Sequence, residues 1–103
     1  MNQQERILIY GRLGKNPELK YTLKQEPICF LAVAEQIEGD EKPKWHNVVV
    51  WGKQAEQCSV YLKKGIPVFV RGRNQTRDYT NKEGEKKLYT EFKADSVGFT
   101  FDV

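Results

Sequence analysis

The sequence predicts an all-β domain, a five-stranded Greek-key barrel with one α-helix between the third and fourth strands. Three observations predict it. Four segments alternate with period two and a fifth is a short apolar run, with turn residues or polar stretches between them. A single window, residues 53–64, changes to a helical period. A chain of 103 residues has room for one domain, 1–103, with one modest core.

The elements follow in order. Residues 6–13 alternate and form the first strand, and the glycines of 11–14 with Asn16-Pro17 mark the turn that ends it. Residues 28–34 are a short apolar run, a second and well-buried strand. A polar loop over 35–44 contains Gly39-Asp40 and Pro43 and leads to the third strand, 45–51, built on three consecutive valines. In the helix, Ala55, Cys58, Tyr61 and Leu62 share one face and Gly65 is placed to cap the C-terminus. Residues 66–80 form the fourth strand, Asn81 to Gly84 a hairpin turn, and 86–97 the fifth strand, with Leu88, Thr90, Phe92 and Ala94 on one face.

Two of these strands carry chemistry. Alternation places Trp45, Asn47, Val49 and Trp51 on one face and His46, Val48 and Val50 on the other, so both indoles stand on one side, roughly 20 Å apart at ~3.3 Å per residue. That spacing suits different bases of an extended strand, whereas indoles buried in the core are the plainer reading. On the fourth strand the odd positions are Phe69, Arg71, Arg73, Gln75, Arg77 and Tyr79. Rings for base faces and guanidinium groups for phosphates are the composition that single-stranded nucleic acid requires. A solvated charged face is the alternative, and a bulge at Gly72 would exchange the two faces beyond it.

Composition narrows the remaining classes. The net charge of +3 says little, but the distribution is uneven: Arg71, Arg73, Arg77, Lys82, Lys86 and Lys87 stand in one stretch, and Glu35, Glu38, Asp40 and Glu41 in another. No apolar run approaches the ~20 residues of a membrane span, and Met1 to Glu5 lacks the regions of a secretory signal, so the expected location is cytoplasmic. Cys29 and Cys58 are isolated and read as reduced, buried thiols. His46 is the single histidine and has no catalytic constellation around it; the reading is no enzyme, no metal site and no cofactor.

Five strands with one helix between the third and fourth is the order of the oligonucleotide-binding (OB) barrel. The blocks Ile7 to Tyr21, Leu31 to Ala34, Trp45-His46 through Lys53, Ala55-Glu56, Tyr61 to Gly65 and Gly72 to Arg77 resemble, in order and spacing, the bacterial single-stranded DNA-binding protein (SSB) family over nearly the whole chain. The resemblance implies sequence-tolerant binding of single-stranded DNA in replication, recombination or repair, with bases stacked on Trp45, Trp51 and Tyr79 and the backbone followed by Lys53, Lys64 and Arg77. It also implies a homotetramer, or a homodimer, with His46 near a subunit interface. A fourth ring common in the family is replaced here by Ile37, and Asn47, Gln75 and Asp78 stand where relatives are often basic; Arg73 and Lys82 are candidate replacements. Family members continue into a flexible linker and an acidic tip that recruits replication proteins, so recruitment through such a tail is not expected of a sequence ending at Val103. A second reading is a protein-interaction barrel of a primosome or replication-restart complex with weak DNA binding. An RNA binder of the cold-shock kind is disfavoured, because its clustered aromatics are missing.

Overall fold

The computed structural model describes residues 6–100. Six strands and one helix follow in the order β1 (Ile7–Leu13), β2 (Glu18–Tyr21), β3 (Pro27–Glu35), β4 (Lys44–Trp51), α1 (Lys53–Tyr61), β5 (Pro67–Thr80) and β6 (Lys86–Phe99). The strands run β1-β5-β6-β4-β3-β2 across one sheet, and a further antiparallel pairing of β1 with β3 closes it into a barrel. All neighbours are antiparallel except β4 and β6, which are parallel. The five expected strands are present, and the architecture is the OB barrel.

The sixth strand, β2, is a correction. Its four residues are too few and too polar to stand out in the sequence, but their backbone pairs with β3 from Glu18↔Phe30 to Tyr21↔Pro27. The hairpin between them is closed by the Thr22 hydroxyl, which accepts from the amides of Lys24 and Glu26. The Tyr21 hydroxyl donates to Glu56 Oε2 at 2.9 Å and ties β2 to the helix, and that bond to a carboxylate raises the tyrosine's pKa above its ordinary value.

Alternation decides the core. Ile9 and Leu13 of β1, Cys29, Leu31 and Val33 of β3, Val48 and Val50 of β4, Val68 and Val70 of β5, and Phe92 and Ala94 of β6 point inward and are buried, joined by Ala55, Cys58 and Leu62 from the helical segment. The β3 run is therefore buried mainly along its odd positions, and Phe30, Ala32 and Ala34 lie on the outward face, half-buried. Burial pushes the Cys29 thiol up to about 11 and the Cys58 thiol to about 12, so both stay protonated and unreactive at neutral pH.

The helix is shorter than its apolar pattern. Leu62 takes an extended conformation as C-cap, with its amide still bonded to the Cys58 carbonyl. Tyr61 is exposed, not packed with Ala55 and Cys58. Gly65, at φ +89°, serves the following turn, where its amide donates to the Leu13 carbonyl. On β6 the predicted face is correct in phase, yet Leu88 is 74% exposed, because the β5–β6 ribbon runs on beyond the barrel and nothing covers it.

Two glycines sit where backbones nearly touch. Gly11 lies inside β1, not in a turn, and a Cβ there would overlap the Ala34 carbonyl. Gly72 faces the Lys93 carbonyl in the same way, and the extra residue of the bulge is Asp95 on β6, since Arg71 pairs with Ser96 and Gly72 with Ala94. The alternation of β5 consequently runs through Gly72 without a change of face. Because neither approach has room for a methyl group, Gly11→Ala is expected to lower stability by about 1–3 kcal/mol. Thermal melts of the purified variant check this, and an unchanged midpoint would contradict the close packing of β1 on β3.

Candidate nucleic-acid interface

Of the residues that the sequence singled out, the outward face of the sheet collects Trp45, Trp51, Arg73, Arg77 and Tyr79. On β4 it presents Trp45, Asn47, Val49 and Trp51, paired across β3 with Ala34, Ala32, Phe30 and Ile28. On the other side Val49 pairs with Lys93 of β6, and β6 in turn aligns Lys93 with Arg73, Glu91 with Gln75, Tyr89 with Arg77 and Lys87 with Tyr79. The two strands that carry the rings and the guanidinium groups are thus joined through β6 into one surface.

Neither tryptophan belongs to the core. Trp45 is 57% exposed and Trp51 is half-buried, while Val48 and Val50 fill the interior as the opposite face requires. The six-membered ring of Trp45 lies against Gly14, at a point where a Cβ would overlap it. Gly14 therefore leaves room for the edge of the indole to abut the loop between β1 and β2. That loop is tied to the chain beyond the helix, since the Asn16 side chain accepts from the Lys64 amide at 2.9 Å.

The basic side chains differ in how they are held. Arg77 Nε lies 3.2 Å from Glu91 Oε1, and Gln75 donates to the same oxygen at 2.8 Å. Glu91 is only 4% exposed. A buried carboxylate needs such partners, and here they orient the Arg77 guanidinium outward beside Tyr89. Tyr79 and Tyr89 meet edge to face at 5.5 Å. Among the described residues Arg73 has no acidic partner, and Lys53 and Lys64 are exposed at the start of α1 and in the turn after it.

Phe69 and Arg71 group with β1 instead. The Phe69 ring lies 5.4 Å from that of Tyr10, and its neighbours across the sheet are Tyr10 and Gly98. Arg71 reaches Asp95 Oδ1 at 3.3 Å and the Ser96 hydroxyl at 3.2 Å, and Arg6 binds the other oxygen of Asp95. The Arg6 bond, with help from Arg71, holds the Asp95 carboxyl below its ordinary pKa against partial desolvation. His46 also stands apart, 2.8 Å from Glu35 Oε1 and half-buried, in a cleft of about 450 Å³ that includes Ile7, Leu8 and Ile9.

Residues 4–100 match the model of the single-strand binding protein family. The chain belongs to that family. It is 40% identical over 99 residues to the single-stranded DNA-binding protein of Halalkalibacterium halodurans, a match covering 91% of this chain and 59% of that protein. Against single-stranded DNA-binding protein 1 of Chlorobaculum tepidum the identity is 39% over 94 residues, covering 84% and 58%. Against single-stranded DNA-binding protein A of Bacillus subtilis it is 37% over 99 residues, covering 91% and 58%. The chain therefore spans about three-fifths of the length of these curated relatives.

Two residues of the face carry no clear signal in the sequence. Glu91 is an ordinary acid in an alternating strand, and only the β5–β6 register brings it beneath Gln75 and Arg77. Tyr89 lies two residues from it, and a count of aromatic residues on β6 is the signal that would find it. No helix is long and apolar enough to cross a membrane among the described residues.

The seat under Trp45 is directly testable. In a Trp51→Phe background, which leaves one emitter, Gly14→Ala is expected to lift the indole and increase its quenching by acrylamide while the far-ultraviolet spectrum stays unchanged. Equal quenching in both proteins would show that Gly14 does not position the ring.

Proposed function

We propose that this chain binds single-stranded DNA with little sequence preference, in replication, recombination or repair, and works as a homo-oligomer without catalytic activity. The observation that carries the reading is one outward surface holding Trp45, Trp51 and Tyr79 together with Arg73 and Arg77, all outside the core. Stacking accepts every base because each has a π face, and phosphate contacts carry no sequence information. Lys53 and Lys64, both exposed, are the further cations proposed to meet the DNA backbone. Arg77 exchanges Glu91 for a phosphate only in part, so Arg73 is the stronger electrostatic anchor of the pair.

For the oligomer, the supporting feature is β1. It pairs with β5 from Ile7 to Arg12 on one side, while its pairing with β3 begins only at Arg12↔Ala34. Ile7, Leu8 and Tyr10 are exposed along that edge, with Phe69 packed on Tyr10. An apolar strand edge of this kind is a template for a second chain. Phe69 and Arg71 are accordingly assigned to this side and not to the DNA path, and His46 with Glu35 borders it. A homotetramer is the expected state, a homodimer the smaller alternative; a barrel of this size offers a long strand too little surface alone.

Two measurements test these proposals. On a single strand, each phosphate neutralised adds about 0.7 to the steepness of log affinity against log salt, so Arg73→Ala with Arg77→Ala is expected to flatten that slope for every sequence tried. An unchanged slope would move the DNA path off β5. In light scattering, the wild-type chain is expected to run as an oligomer and Leu8→Lys as a smaller species. A wild-type monomer at micromolar concentration would overturn the interface.

A further inference from the structure

The outward face contains one more ring, and nothing in the stacking set above accounts for it. Phe30 lies on β3 opposite Val49 of β4 and Glu18 of β2. Trp51 is two residues from Val49, which puts the two rings' backbones about 8 Å apart, from ~6.6 Å along the strand and ~4.8 Å across it. The core cluster does not include Phe30, which is half-buried. In its outward row it stands between Ile28 and Ala32, so the sheet surface drops away on the Ala32 side of the ring.

That depression is a cleft of about 240 Å³, bordered by Phe30 and Tyr89 with Val49 as its floor and Asn47 and Lys15 at its margin. It is smaller than the roughly 300–1,000 Å³ of pockets that take whole ligands, and it suits a single heterocycle lying against a ring. The Lys20 ammonium stands over the Phe30 ring, 5.9 Å from its centroid. At that distance the cation is at the limit of a useful attraction, and an exposed lysine swings away at little cost. Two carboxylates border the cleft, and both are engaged: Glu18 with Lys20 at 3.8 Å, Glu91 with Arg77 and Gln75.

We propose that Phe30 is an additional stacking platform, holding one base of the bound single strand in the cleft between itself and Tyr89, with Lys20 and Lys15 on the adjoining phosphates. The inference rests on the single-strand reading given above. It extends the path from the β4 indoles across β3 to β2.

The test compares Phe30→Leu, Phe30→Trp and Trp45→Ala for binding labelled oligothymidine at fixed salt, with melting temperatures of each. Phe30→Leu keeps apolar bulk but loses the π face, and is expected to weaken binding about tenfold at an unchanged melting temperature, while Phe30→Trp restores it. Lys20→Ala is expected to reduce the salt slope by about 0.7. If Phe30→Leu binds like the wild type while Trp45→Ala is weakened, Phe30 is a surface ring under a lysine and the inference fails alone. If neither variant is weakened, the single-strand reading fails and this inference with it. Should Phe30→Leu also melt early, photocrosslinking of iododeoxyuridine-substituted oligothymidine to the unaltered chain decides. An adduct on Phe30 or Tyr89 supports the platform, and adducts confined to Trp45, Trp51 and Tyr79 overturn it.

Discussion

Closure of the barrel depends on backbone approaches that only a residue without a side chain permits. Gly11 lets β1 cross against Ala34 of β3, and Gly72 lets β5 lie on Lys93 where Asp95 adds a residue to β6. A bulge bends its strand and increases the local twist, which a sheet of this length needs in order to curl back on itself. Once the sheet is closed, period-two alternation has a fixed meaning. Val48 and Val50 of β4 and Val68 and Val70 of β5 point into a packed interior, and the rings and guanidinium groups that alternate with them are turned outward. The functional face is thus a consequence of how the core is closed.

Two acidic side chains gather charge on the barrel, one on the β1 side and one on the outward face itself. Asp95, the bulged residue, gathers Arg6 and Arg71, and Glu91 gathers Arg77 and Gln75. Such pairs fix long side chains in one orientation and lower the entropy lost when a partner arrives. They also reduce the net positive charge that a phosphate meets. The modest net charge of +3 is therefore compatible with a surface of oriented donors, in which exposed rings carry a large share of the binding.

Much of this is legible in the sequence, and the limits have physical causes. The outward phase of Trp45 and Trp51 follows from alternation around three valines, and the fold class follows from element order. The β2 strand leaves no such mark because four residues of mixed polarity have no detectable period; its existence depends on pairing with β3. Gly11 reads as a turn glycine because a close approach between distant strands leaves no local trace. Phe30 is hidden inside an apolar run whose two faces differ only after β4 is laid beside it. Phe69 and Arg71 have the same phase as Arg73 and Arg77, and only the pairing of β5 with β1 separates the two groups.

Exposed indoles that meet bases are the centre of the proposed function. The most direct measurement is the intrinsic tryptophan emission of the unaltered chain during titration with oligothymidine, alongside an independent binding signal from the labelled oligonucleotide. Stacked bases give the excited indole a route for decay, so emission is predicted to fall in step with binding and to saturate at the same ratio. Binding that saturates while the emission of Trp45 and Trp51 stays constant would contradict stacking on these rings.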